Sequence, residues 1–344
     1  MIPSVLLEGG SFRFIFLFPV LYISTMKILI TGAAGDIGSR VAKALIVKGH
    51  QIKVLVRRVE GTEWLKKAGA EIHIGDVTKP ETLKGICEGV DFVYHFSAVL
   101  FVPNPKKEIK EVNYLGTINL AKECLGKNIK RFIFPSLPLV LGPHEKPLKE
   151  LRPEEAPLKP NFYHALYKKL AEEYLLNLND EGKLPVTILR LGTVYGWNNR
   201  LMKTLSKLMK QGLFRLAGSG RNIISLVHID DVVQAMLFAM EKDIAKGQIY
   251  NICDNRPVTM KGFADLLADT IGAKRPKAAP VFLFRIAAFF ATLLSRITGK
   301  PALTNQDVVT MTVSSYAEDN SKAKKELGFQ PRYPTVYEGI KAIL

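Results

Sequence analysis

Hydrophobic positions along the chain fall into two alternating periods. Short β-branched runs appear near 27–31, 51–57, 71–75, 91–95, 130–134 and 185–190, and the segments between them carry apolar residues at helical spacing. Alternation of strand and helix predicts an α/β fold, a doubly wound parallel sheet covered by helices on both faces. Beyond about residue 196 the alternation loosens into a helix over 199–211, a strand over 223–227, a helix over 229–241 and a strand over 248–252, followed mostly by helix. These patterns divide the chain into a nucleotide-binding domain over 26–195, to which 223–255 returns, and a smaller, mostly helical lobe made of 196–222 and 256–344.

Residues 1–25 stand apart as an N-terminal extension. Their apolar stretch, Phe14 to Ile23, is about 10 residues long and broken by Pro19, whereas a membrane-spanning helix needs about 20. Arg13 ahead of it gives the look of a weak signal sequence, but no clear small-residue cleavage site follows. A translation start at Met26 is the reading favoured, because Met26-Lys-Ile-Leu-Ile-Thr-Gly already reads as an opening strand.

With 344 residues, 47% hydrophobic and 23% charged, the chain is neither disordered nor fibrous and is long enough for a sizeable core. Cys87, Cys124 and Cys253 are far apart in sequence with no paired spacing, which argues against a disulfide framework or a zinc site and for a reducing, cytoplasmic compartment. No metal is expected. The net charge of +16 is spread along the chain without a basic arm or an RNP-like motif, so no nucleic-acid partner is expected either.

Candidate chemistry begins at the first strand's end. In TGAAGDIG, Gly32, Gly35 and Gly38 lie three apart at a strand-to-helix turn, with Asp36 and Ile37 between the last two. Glycine there allows a tight turn and lets main-chain N–H groups approach a pyrophosphate at the helix N-terminus. The second strand ends on Val56, which cannot hold a ribose hydroxyl, and continues into Arg57 and Arg58, which suit a 2′-phosphate. NADP is therefore expected in preference to NAD. Asp76 and Val77 follow the third strand, the carboxylate placed to accept from an adenine amino group, and Phe96, Ser97 and Ala98 follow the fourth, facing the middle of the cofactor.

At this point the sequence resembles the extended short-chain dehydrogenase/reductase superfamily, in its epimerase/dehydratase and 3-beta-hydroxysteroid dehydrogenase-like branch. The likeness spans 26–344 and rests on TGAAGDIG, GDVTKPETL, VDFVYHFSAV, VNYLGTINL, RLGTVYGW, SLVHIDDVV and the terminal SKAKKELGFQPRYPTVYEGI. It implies a Rossmann-type lobe that binds NAD(P), closed over by a C-terminal substrate lobe, and an oxidoreductase or epimerase acting on a secondary alcohol or ketone. In that family a Ser, a Tyr and a Lys carry the chemistry: Tyr as acid/base, Lys on the nicotinamide ribose, Ser orienting the substrate oxygen.

Here the resemblance departs from the family. YHALYKKLAEEYL places the lysine at Lys168, but four residues earlier stands His164, and FPSLPLVLG places Leu137 at the serine position. Three explanations compete. His164 takes the acid/base role, with Lys168 one helical turn away lowering its pKa. Or Tyr163 and Ser136, each one residue earlier, swing into the vacant roles, which on a regular helix or strand would point them elsewhere. Or the reaction has been lost, leaving a non-catalytic NAD(P)-binding sensor or scaffold.

Other residues carry weaker cases. Asn113 matches a family asparagine supporting the catalytic helix or a water near the lysine. The cluster His228, Asp230 and Asp231 reads as structural, with an Asp capping the next helix. Tyr195 and Trp197 are candidates to line the substrate pocket, against a packing role under the lobe interface. Arg221 is a candidate for a nucleotide diphosphate, and so for a nucleotide-sugar substrate. Residues 281–294, VFLFRIAAFFATLL, form about 14 positions with one charge, Arg285, flanked by Lys274, Arg275, Lys277, Arg296 and Lys300. That length is too short to span a bilayer unaided and suits peripheral membrane association or a lid over a sterol- or isoprenoid-like substrate; burial in the lobe or a homodimer contact is the alternative.

Overall fold

A computed structural model describes residues 25–144, 150–196, 200–299, 302 and 304–343. Residues 1–24, Trp197 and Lys300 lie outside the described residues, so the readings of the N-terminal extension and of Trp197 rest on sequence alone.

Seven strands form one sheet, from edge to edge Gln248–Ile252, Val186–Leu191, Arg131–Ser136, Phe92–His95, Lys27–Thr31, Gln51–Val56 and Glu71–Ile74. Every neighbouring pair runs parallel. The chain steps outward from Lys27–Thr31 in one direction, then returns to its other side, so the order reverses between Lys27–Thr31 and Phe92–His95. In such sheets a crevice opens at that switch point, beyond the strands' carboxyl ends.

Strand periodicity explains the two cores. Ile28 and Ile30, Val54 and Val56, Phe92 and Tyr94, and Ile133 pack on one face with Val41, Leu45, Val232 and Met236 of helices Asp36–Val47 and Ile229–Glu241. Their alternates Leu29, Leu55, Val93, Phe132 and Phe134 pack on the other with Leu120, Cys124, Ala171 and Leu175 of helices Gly116–Cys124 and Tyr163–Asp180. Because successive side chains point to opposite faces, strands buried on both read as unbroken apolar runs. A third core gathers Met202, Leu216, Phe263, Leu267, Tyr316 and Val336 from the C-terminal segments against Phe162 and Tyr195.

Two expectations are corrected. The strand anticipated over 223–227 is two short ones. Ile223–Ile224 pairs antiparallel with Val258–Thr259, and Leu226–His228 pairs parallel with Thr193–Tyr195. Between them Ser225 donates its N–H to the Tyr316 carbonyl, which takes one position out of either ladder. Second, the apolar helix runs Val281–Thr298, 18 residues rather than 14, and closes on the left-handed C-cap Gly299. The C-terminal region also carries one short strand, Lys277–Ala279, paired with Arg215–Ala217. Cys87 and Cys124, separated in sequence, meet in space with their sulfurs 3.4 Å apart and buried, as free thiols.

Candidate active site

A cleft of about 330 Å³ opens at the switch point, lined by the glycine loop, His95, Phe96, Ala98, Pro135, Ser136, Lys168, Leu191, Gly192 and Val194. The loop is shaped so that only glycine fits. Gly32 has φ +69°, and a Cβ there would lie 2.9 Å from the Phe96 carbonyl carbon and 3.0 Å from the Ser97 nitrogen. A Cβ on Gly38 would collide with the Gly32 carbonyl. Helix Asp36–Val47 begins at Gly35 with no side-chain cap, so its positive end faces the cleft open to an anion. That cradle fits a dinucleotide pyrophosphate.

On the adenosine side, Asp76 holds Thr78 through both the N–H and the hydroxyl at 2.9 Å, which fixes the turn after the third strand. Val77 is buried against Gly116, where any Cβ would stand 2.7 Å from a valine methyl. Val56 is buried, whereas Arg57 and Arg58 are exposed at its strand end and have no ion-pair partner among the described residues. At the cleft's centre the Ser97 N–H donates to the Thr31 hydroxyl, 3.1 Å, and Phe96 stacks on Tyr94.

The reacting end is built on helix Tyr163–Asp180. Lys168 is buried and donates to the Pro135 carbonyl at 2.7 Å, its ammonium 4.0 Å from the Phe134 ring centre. Desolvation lowers its pKa to about 7, partly offset by Glu172. Ser136 lines the same cleft, and its buried hydroxyl has no hydrogen-bond partner among the described residues. The expectation that Ser136 could reach the site only through irregular structure is corrected. It is the last residue of strand Arg131–Ser136 and alternates onto the same face as Phe132 and Phe134, the side on which Lys168 lies, and the chain turns only afterwards at Pro138–Leu141.

His164 is half-buried and held at both ends. Its backbone N–H donates to Asp307 Oδ2 at 3.0 Å, a carboxylate at the N-terminus of a helix whose own N-cap, Phe162, offers no side chain. Its Nδ1 lies 3.0 Å from Asn113 Nδ2. The amide of Asn113 is oriented by Val99, whose N–H donates to Oδ1 at 2.8 Å and whose carbonyl accepts from Nδ2 at 2.9 Å. With one amide proton given to Val99, the other is directed at His164 Nδ1, an arrangement that suits an imidazole carrying its proton on Nε2. Burial, with the Lys168 charge adding to it and a hydrogen bond to the Val99 backbone opposing it, lowers the His164 pKa to about 3. The ring is therefore neutral.

His95, which the sequence places in the segment Tyr94–Ala98 facing the middle of the cofactor, is fully buried in the cleft wall. Its Nδ1 is 2.8 Å from the Thr31 hydroxyl and its Nε2 3.0 Å from that of Thr117, and burial lowers its pKa to about 3. Sequence reasoning missed Pro135, Gly192, Val194 and Asp307. The first three lie at or just beyond strand carboxyl ends, a positional signal available once the strands are drawn; Asp307 arrives from a remote helix and left no signal.

Several candidates fall outside the cleft. Tyr163 is exposed and stacks on Tyr167, 6.3 Å between ring centres, and it is not among the lining residues. Tyr195 is fully enclosed and donates to Asp254 Oδ2 at 3.2 Å, with its ring edge-on to His228, so the expectation that it meets substrate is corrected to a packing role. Arg221 is exposed and is not among the residues lining the cleft. In the His228 cluster the imidazole, not an aspartate, caps the next helix by accepting from the Asp230 N–H at 3.2 Å, while Asp231 accepts from the N–H groups of Arg332 and Tyr333.

A seven-stranded parallel sheet with a glycine-lined crevice at its switch point, and a buried lysine facing it, defines a dinucleotide-binding enzyme of the Rossmann type. Residues 28–253 match the NAD dependent epimerase/dehydratase family, and the chain belongs to that family, within the extended short-chain dehydrogenase/reductase superfamily. It is 28% identical to a 2-alkyl-3-oxoalkanoate reductase of Stenotrophomonas maltophilia over 92% of this chain and 98% of that protein. It is 27% identical to a 4-hydroxy-2-methyl-3-oxo-4-farnesyl-3,4-dihydroquinoline-1-oxide ketoreductase of Stigmatella aurantiaca, over 92% and 96%. The crystal structure of a Thermotoga maritima UDP-glucose 4-epimerase superposes with TM-score 0.74 at 27% identity, covering 92% of this chain and 97% of that one.

Proposed function

We propose that the protein is an NADP-preferring ketoreductase whose substrate is a ketone carrying a long apolar chain, and that neutral His164 replaces the family tyrosine. The observation that supports this reading is the place of His164 one helical turn before the cleft-lining Lys168, with Nδ1 engaged by the Asn113 amide at 3.0 Å so that Nε2 is the ring nitrogen left to meet a substrate. The ring itself is not among the residues that line the cleft, so the ketone would have to reach past Lys168 to it. A neutral imidazole can polarise a carbonyl, and a donor prearranged where charge develops lowers the barrier. Bound NADPH supplies the hydride. The chain's own part is to hold the ketone at the nicotinamide end of the cleft and to deliver the proton that the carbonyl oxygen takes up as the secondary alcohol forms. Lys168, titrating near neutrality, is the group able to release that proton, and the partnerless Ser136 hydroxyl offers a second contact to the substrate oxygen.

Both relatives named as reductases act, by name, on ketones bearing alkyl or farnesyl chains, which favours an apolar substrate over a nucleotide sugar. The exposed position of Arg221 leaves the sugar reading without a diphosphate contact in the cleft. Residues 26–195 with 223–255 form the cofactor lobe in this reading, and the remaining segments form the substrate lobe. A cytoplasmic location with peripheral membrane attachment through 281–294 completes it; a homodimer contact there is the competing use of that face.

NADPH oxidation with a long-chain 2-alkyl-3-oxoalkanoate is the test. Turnover with that ketone, none with UDP-glucose, and a loss of about 10²-fold or more in His164→Phe are expected. Because His164 is neutral above about pH 3, the wild-type rate should show no histidine titration between pH 4 and 6.5 and should inflect near 7 with Lys168. If His164→Phe retains full rate, the histidine is not the donor. If the wild type turns over no ketone, the sensor reading replaces the enzyme.

Cofactor choice is tested separately. An Arg57→Ala, Arg58→Ala variant should weaken NADPH binding about 10²- to 10⁴-fold, since each charge-assisted hydrogen bond to a phosphate is worth about 1.5–3 kcal/mol and two are lost, while NADH binding changes little. Equal losses for both cofactors would place the two arginines away from the 2′-position.

A further inference from the structure

Helix Val281–Thr298 is amphipathic in reverse. Its two buried positions, Ala288 and Ser295, mark the side that faces the protein, which packs against helix Gln306–Val313. At 100° per residue, Phe282, Leu283, Ile286, Phe289, Phe290, Leu293, Leu294 and Ile297 fall within an arc of about 140° centred opposite those two. All eight are exposed, from 45% at Leu293 to 75% at Ile297. No acidic residue occurs in the helix, and its two charges, Arg285 and Arg296, lie together at one edge of the arc. A contiguous apolar face of this size on a folded protein marks an interaction surface.

Charge indicates what covers it. The strand Lys277–Ala279 that leads into the helix pairs with Arg215–Ala217, which brings in the turn after helix Arg200–Lys210. That neighbourhood exposes Leu213 beside Lys207, Lys210, Lys274 and Lys277, none of which has an ion-pair partner among the described residues. At the opposite end Arg296 reaches the Pro103 carbonyl at 3.4 Å, next to exposed Phe101 and near Lys106 and Lys107. An apolar ridge with cations beyond both ends matches a bilayer surface with anionic headgroups: the ridge enters the acyl boundary while the lysines stay at headgroup level. A second copy of the chain would bring the same cations against each other.

We infer that the protein docks on anionic membranes with helix Val281–Thr298 lying in the bilayer plane, seated by Lys207, Lys210, Lys274 and Lys277. This rests on the peripheral attachment proposed above and specifies its surface, orientation and lipid class. At about 1.5 Å per residue the helix is about 27 Å long, and an in-plane posture keeps both of its arginines at one interface.

Co-flotation of the full chain with phosphatidylcholine vesicles, with and without phosphatidylglycerol at about a third of the lipid, tests the inference. Binding is expected on the anionic vesicles, falling several-fold in high salt and at least 10-fold in Phe289→Glu, Phe290→Glu, whose side chains are exposed and whose circular dichroism should match wild type. A Lys207→Gln, Lys210→Gln, Lys274→Gln, Lys277→Gln variant should lose the preference for phosphatidylglycerol while keeping NADPH binding, so the test stands apart from catalysis. Failure to float with either vesicle would overturn the proposal. So would a lipid-independent dimer that Phe289→Glu, Phe290→Glu dissociates, or equal binding to both vesicles.

Discussion

Lys168→Met is expected to lower kcat for ketone reduction by about 10²–10⁴, the range over which positioned proton-transfer groups act. The lysine is buried, its ammonium bonded to the Pro135 carbonyl and lying over the Phe134 ring, in the wall of the cleft that also holds Ser136. Methionine fills the same stem without the charge. Because burial already opposes that charge, enough to bring the pKa to about 7, its removal should leave thermal stability unchanged or higher. A fall in rate with no fall in Tm separates the chemical role from a structural one. Unchanged kcat in Lys168→Met would remove the lysine from the reaction, and an equal fall in Tm would make it a core residue.

The second large effect is on stability. Arg190 and Glu172 are both buried, and the guanidinium donates to Glu172 Oε2 from Nη2 at 2.8 Å and from Nε at 3.2 Å, while Nη1 reaches the Glu154 carbonyl at 2.8 Å. This network ties strand Val186–Leu191 to helix Tyr163–Asp180, which carries His164 and Lys168. Arg190→Met strands the Glu172 carboxylate in the core and should cost about 3–5 kcal/mol by denaturant unfolding. A double variant, Arg190→Met with Glu172→Leu, removes both charges and should recover most of that loss. A single variant within about 0.5 kcal/mol of wild type would show that the carboxylate is neutralised another way.

The sheet was legible because buried parallel strands write themselves as apolar runs, and Lys27–Thr31, Ile229–Glu241 and Gln248–Ile252 fall where the pattern places them. The glycine loop was legible for the same reason that it is rigid: Gly32 and Gly38 tolerate no Cβ. The catalytic region was harder to read. Ser136 faces the cleft by ordinary alternation with Phe132 and Phe134, which becomes readable only once it is known that helix Tyr163–Asp180 covers that face, and the state of His164 depends on Asn113 and Asp307, 51 and 143 residues away in sequence. The same holds for Cys87 and Cys124, which meet only once the loop after the third strand has packed on helix Gly116–Cys124. The apolar helix was underestimated because its last turn, Ser295–Thr298, is polar in composition and reads as a loop.

The most direct measurement is a calorimetric titration of the purified full chain with NADPH and, in parallel, with NADH. One NADPH bound per chain, more tightly than NADH, is the predicted result, because the glycine cradle fits the pyrophosphate and the 2′-phosphate is, by the proposal above, assigned to Arg57 and Arg58. No heat of binding with either would contradict the dinucleotide site, and with it the reaction assigned to His164 and Lys168.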